Sequence, residues 1–199
     1  MKRTITIVLI ALSAGSAFAE ETLLDTMGPL RFGGYGAFEV KTAPVADDWR
    51  VLIGGKGGCI INHVLVLGGG GYGQVSEFTG TAQPAPYEPP ITRELNLGYG
   101  GFYAEYVLFS SALVHGSVSA LVGGGGVYDA YYETADIAVD GDEFFIAEPS
   151  AGVELNVTRF FRVNLSGGYR FTSGLDYAGV TDDDLRGPSA GIAFKFGKF

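Results

Sequence analysis

The feature that most constrains this chain is the way its strand-like runs are joined. Eight runs rich in aromatic and β-branched residues, approximately 31–41, 50–61, 64–75, 93–106, 116–131, 144–157, 161–172 and 187–197, are separated by turn signals. The second and third meet at Asn62 and His63, the fourth and fifth at "LFSSAL", and the sixth and seventh at "TRF". The remaining connections are longer: "TAPVADD", "SEFTGTAQPAPYEPPIT", "YETADIAVDGD" and "SGLDYAGVTDDDLR". Alternation of short and long connections puts every long loop at one end, as in an up-and-down barrel that crosses a membrane. A soluble sandwich has no reason to do so. Each run also reaches the roughly 9–11 residues that a tilted spanning strand needs. The predicted fold class is all-β, an eight-stranded antiparallel up-and-down transmembrane β-barrel.

Alternation within the runs points the same way. In the seventh, Phe161, Val163, Leu165, Tyr169 and Phe171 share one face, while Arg162, Asn164, Ser166 and Arg170 share the other. In the eighth, Ile192, Phe194 and Phe196 oppose Ala193 and Lys195. The sixth sets Ala151, Val153, Leu155 and Val157 against Ser150, Glu154 and Asn156. Apolar outside and polar inside is the period of a lipid-embedded barrel. The residues expected to face lipid are therefore Phe161, Val163, Leu165, Tyr169, Phe171, Ile192, Phe194 and Phe196. Within the strands lie the charges Glu39, Lys56, Glu148, Glu154, Arg162, Arg170 and Lys195. A Lys or Arg facing lipid at midplane costs about 2–4 kcal/mol, so these are expected to point inward and pair. Arg170 is expected to find Glu39 or Glu148. Strands four and five are ambiguous, because Glu94 and Glu105 cannot share a face without a bulge.

Glycine accounts for 32 of 199 residues. Interior glycines cost a helix about 1 kcal/mol each, so this density argues against helices. Gly68, Gly70 and Gly73 show the spacing of a dinucleotide-binding fingerprint, but the sequence that follows, "QVSEFTGTAQPAPYEPP", opens no helix. "GGKGG" likewise lacks the Ser or Thr that a phosphate-binding loop places after its lysine. Related clusters recur near the middle of successive strands. Glycine there allows strong coiling and makes room for large inward side chains in a narrow barrel. No cofactor is expected.

The first 19 residues read as a signal peptide: Lys2 and Arg3, an apolar core, then "AFA" before the cleavage point after Ala19. Ser16 stands where a lipidated cysteine would be, so no lipid anchor is expected. The domain reading is a signal peptide over 1–19, a short lead over 20–30 and a barrel over 31–199. Loss of Lys2 and Arg3 takes the formal charge from −9 to −11. An acidic chain without a basic stripe argues against nucleic acid as a partner. The single cysteine, Cys59, permits no internal disulfide and reads as a small packed residue.

Signal peptide, eight such strands, alternating connections and a C-terminal phenylalanine, Phe199, together resemble the small outer-membrane β-barrel superfamily, with its OmpA, OmpX and OmpW types. The resemblance covers essentially the whole mature chain and is architectural. It implies the outer membrane of a Gram-negative bacterium as location, outer-membrane lipid as surroundings and the barrel-insertion machinery as a partner in assembly. One departure is that Ile192, Phe194 and Phe196 run one position out of phase with Phe199. The function expected is a structural, adhesive or loop-mediated binding role without catalysis, with Tyr87 in the second external loop as a contact site. The alternatives are a small-solute pore, a soluble lipocalin-like barrel that binds an apolar ligand, and a lipid A-modifying enzyme. The enzyme reading is weak because His63 and His115, the only histidines, fall near the short turns, with no serine placed beside either. Asp140, Asp142, Glu143 and Asp182 to Asp184 lack calcium-loop spacing, so no metal is expected.

Overall fold

Period-two alternation of apolar and polar residues builds strands that close on themselves. The computed structural model describes residues 30–46, 48–75, 78–82, 91–133 and 136–199. The signal peptide, nearly all of the lead and Tyr87 lie outside the described residues. In chain order the elements are β1 (Phe32–Val45), β2 (Asp48–Ile61), β3 (Leu65–Gln74), β4 (Phe78–Ala82), β5 (Ile91–Leu108), β6 (Val114–Glu133), β7 (Asp136–Asn156), β8 (Phe161–Ser173), β9 (Asp176–Tyr177), β10 (Val180–Thr181), a one-turn helix α1 (Asp182–Leu185) and β11 (Gly187–Lys198).

Nine strands form one sheet in the order β3-β2-β1-β11-β8-β7-β6-β5-β4, and β3 also pairs with β5. That pairing, Leu65 opposite Tyr106 through Gly73 opposite Gly98, closes the ring. β4 pairs only with the far end of β5, from Ala82 opposite Ile91 to Phe78 opposite Leu95, and stands outside it. The result is an eight-stranded, all-antiparallel, up-and-down barrel. β5 and β6 keep continuous register from Asn96–Tyr128 to Leu108–Gly116. Glu94 and Glu105 therefore need no bulge: Glu105 is buried inside and Glu94 is exposed on the opposite face.

One end of the barrel carries only short turns, 62–64, 109–113 and 157–160. The other departs from expectation. "TAPVADD" is not a long loop, because β1 and β2 pair out to Val45–Asp48. "YETADIAVDGD" is mostly strand, since β6 and β7 pair out to Glu133–Asp136. The local reason is that Thr, Val, Ile and Tyr in these stretches extend the ladder past the barrel rim. "SGLDYAGVTDDDLR" holds the β9–β10 hairpin and α1 and folds inward instead of outward.

The two glycine faces differ. A β-carbon on inward-facing Gly68 would collide with the Gly57 carbonyl oxygen, so glycine there is what lets adjacent strands coil so tightly. Outward Gly36 and Gly73 would meet nothing within 4 Å. The G-x-G-x-x-G spacing is therefore barrel wall.

Candidate functional site

The chemistry of this chain is concentrated in its lumen, which has two zones. Toward the loop end the inward side chains are apolar: Ala43, Val45, Leu52, Leu95, Leu97, Val127, Phe144 and Ile146 form one buried cluster. The 174–186 segment completes it by inserting Leu175, Val180 and Leu185, all buried. Toward the turn end the inward positions carry charge.

Four carboxylates, Glu39, Glu105, Glu148 and Glu154, are buried there. Each has a cation. Lys56 Nζ lies 2.8 Å from Glu39, and Lys41 Nζ lies 2.8 Å from Glu148. Lys195 bridges Glu105 at 2.6 Å and Glu154 at 2.5 Å, and Glu154 also takes Arg162 at 3.0 Å. Three of these carboxylates accept a tyrosine hydroxyl as well. Tyr72 donates to Glu39 at 2.7 Å, Tyr99 to Glu148 at 3.1 Å and Tyr35 to Glu105 at 2.6 Å. Glu154 has instead Nε2 of the buried His115 at 3.1 Å. The cations are also stacked on rings: Lys41 lies 3.8 Å from the Tyr72 centroid and Lys195 4.8 Å from that of Tyr35. A buried charge is tolerated only when paired and hydrogen-bonded in this way. Between the zones, Glu39, Lys41, Lys56, Tyr103 and Glu148, with Ser150, Ser166 and Ser189, line a cavity of about 20 Å³. That is room for about one water. The described interior is filled, as the bore of eight strands allows.

The structure places Glu39, Lys56, Glu148, Glu154, Arg170 and Lys195 inside and buried, with the Arg162 side chain 12% exposed at the lower mouth. Leu165, Tyr169, Phe171 and Phe196 are exposed on the outer wall, whereas Phe161, Val163, Ile192 and Phe194 are half-buried. Phe161 accounts for part of this, stacking on Phe196 at 4.8 Å.

Arg170 does not pair with Glu39 or Glu148. Its Nε donates to the Leu185 carbonyl at 2.6 Å and its Nη2 to the carbonyl of Pro44. The 174–186 segment brings the Leu185 carbonyl, and β1 the Pro44 carbonyl, to a place where only carboxylates were foreseen. Cys59 is not packed: it is exposed on the outer wall, because β2 turns Leu52, Lys56 and Ile60 inward and the odd positions outward. His63 occupies a left-handed turn position, φ 61, and is exposed.

Sequence reasoning passed over Lys41 and the three tyrosines, and placed His115 near a short turn without its carboxylate partner, Glu154. Lys41 carried a usable signal, since it lies two residues beyond Glu39 and hence on the same face. Phe199 stacks on Tyr35 at 5.8 Å, beneath the Arg162 guanidinium at 3.9 Å, and packs with Ile60 and Val66. Its phase difference from Phe196 thus turns it inward, toward the lower mouth. The acidic residues of the last connection serve its own backbone: the Asp182 carboxylate accepts Gly174 N–H at 3.0 Å and Leu175 N–H at 3.2 Å.

No protein-family model and no curated protein matches the sequence. Among solved structures the chain is similar to the N-terminal β-barrel domain of Pseudomonas aeruginosa OprF. The two share 16% identity over 83% of this chain and 96% of that one, with a TM-score of 0.49. It is also similar to OmpT, an outer membrane protein of Vibrio cholerae, at 16% identity over 80% of this chain and 63% of that one, with a TM-score of 0.24.

Proposed function

We propose that this protein is an integral outer-membrane barrel whose role is structural, adhesive or loop-mediated binding, without catalysis and without steady conduction. The observation that carries the reading is its inverted polarity. Phe38, Ile53, Leu67, Phe102, Val122, Val153, Leu165 and Phe171 project outward and are exposed, while the charged groups are inside. A soluble lipocalin-like barrel would have the reverse, an apolar cavity within and a polar coat. Trp49 at the loop end, with Phe109 and Phe160 at the turn end, supplies exposed aromatic side chains at both rims, as an interfacial girdle requires.

A lumen packed with paired charges and apolar side chains leaves the ends as the functional surfaces, since binding residues concentrate where loops meet a rigid scaffold. The loop end, with its extended β4–β5 and β6–β7 hairpins, is then the surface offered to the outside. Fractionation tests the location: the protein should require detergent for extraction and should migrate faster unboiled than boiled on a denaturing gel. Recovery in the soluble fraction without detergent overturns the reading. In planar bilayers the protein should be electrically silent, and steady conductance steps would promote the pore alternative.

A further inference from the structure

The last connection has features that a static stopper does not require. Its ends are glycines in positive-φ backbone, Gly174 at 114° and Gly187 at 154°. Between them it keeps its own shape. β9 pairs with β10, and a capping box joins Thr181 and Asp184 at the start of α1. The Asp182 carboxylate ties the segment's start to its middle. Its hydrogen bonds to the wall lie outside the barrel ladder: Arg186 donates to the Thr172 carbonyl at 2.8 Å and 3.1 Å, and Asp176 N–H donates to the Asp142 carboxylate at 2.9 Å. Arg170 reaches the Leu185 carbonyl, Thr172 Oγ1 donates to the Asp182 carbonyl at 2.8 Å, and Ala46 N–H donates to the Asp184 carbonyl at 2.8 Å. Arg170 is 1% exposed, hydrogen-bonds carbonyls, lies 5.9 Å from the Tyr99 ring and within electrostatic reach of Glu148, and leaves Nη1 without a hydrogen-bond partner among the described residues. A buried guanidinium so incompletely matched holds its contact less firmly than a paired one, because opening returns it to water.

We propose that the 174–186 segment is a hinged lid over the polar cavity, latched by Arg170, and that its opening admits water and small inorganic ions to the Lys41, Lys56, Glu39 and Glu148 cluster. Hinges of this kind need only a few residues able to absorb a large backbone change, and the two glycines provide them. The inference concerns the folded barrel alone and is tested in detergent, where the membrane reading plays no part.

The test places a thiol in the cavity, Ser166→Cys in a Cys59→Ser background, and follows its reaction with a small charged methanethiosulfonate. With the latch intact the thiol should react slowly. Arg170→Leu should speed the reaction at least tenfold while the faster-migrating folded band is retained. A disulfide between Ala46→Cys and Asp184→Cys, formed before labelling, should abolish the gain. Should Arg170→Leu yield no folded band, Thr172→Val, which removes one of the remaining wall bonds, should speed labelling severalfold. The proposal is overturned if the folded latch variants label no faster than the parent, if the parent already labels fast, or if the gain survives the cross-link.

Discussion

The two zones of the lumen solve the same packing problem with opposite chemistry. The loop-end zone is a small hydrophobic core, with Leu52, Leu95, Val127 and Ile146 at 0% exposure, completed by residues from a connection folded back on it. The turn-end zone is a lattice of paired charges on the same eight strands. The difference lies in what each tolerates. An apolar core degrades gradually as volume is removed, because the cost follows cavity size. A charge lattice fails abruptly when one member is lost, because its partners remain buried and unpaired.

The contrast is broken most severely at Lys195, the one cation among the described residues that bridges two buried carboxylates. Lys195→Met should lower stability by about 4 kcal/mol or more, the upper part of the range for orphaning a buried charge. Urea unfolding in detergent reads it, and a shift of less than about 1 kcal/mol would show that the lattice is not what holds the lower half. Leu97→Ala in the apolar zone should cost about 3 kcal/mol, the middle of the range for a buried leucine. A cost equal to that of Lys195→Met would erase the distinction between zones.

A sharper comparison removes both members of one pair. Lys56→Met with Glu39→Leu should cost about 1–2 kcal/mol, less than either single change, because only the Tyr72 hydroxyl is left without its acceptor. A double-mutant cycle measures the coupling, and simple additivity would contradict a paired interior. At the bottom of the scale, Asp183→Ala should change the midpoint by no more than about 0.5 kcal/mol. Its bond to Arg186 is 2.7 Å long, but the carboxylate is 85% exposed and screened.

The barrel is legible in the sequence because strand period, connection length and glycine content are local properties. Partner choice is not. Lys195 meets Glu105 across 90 residues and Lys41 meets Glu148 across 107, and no spacing in the chain encodes the stagger that brings them together. Alternation assigns Arg170 to a face but cannot supply the Leu185 carbonyl it binds. The inward fold of the last connection is hidden for a related reason. Leu175, Val180 and Leu185 are spaced by five residues among aspartates, a period that belongs to neither strand nor helix, so the stretch reads as a solvated acidic loop. His115 sits one residue inside a strand start, where a turn histidine and a lumen histidine look alike until the ring is seen against Glu154.

The outward glycines turn the barrel into a measuring device. Gly36 and Gly73 face away from the protein with nothing within 4 Å, and around them Gly55, Gly71 and Gly100 occupy paired positions on neighbouring strands. A Cβ at either site meets no other group, and the side chains opposite on the neighbouring strands are Phe196 for Gly36 and Ile53 for Gly73. At Gly73, whose cross-strand partners are Ile53 and Gly98, a spectroscopic probe is free of a directly opposed aromatic ring. Probes at Gly36 and Gly73, four residues apart in the register that links them through Gly57 and Gly69, would gauge how far any surrounding lipid reaches along the barrel, in ångströms of chain rise.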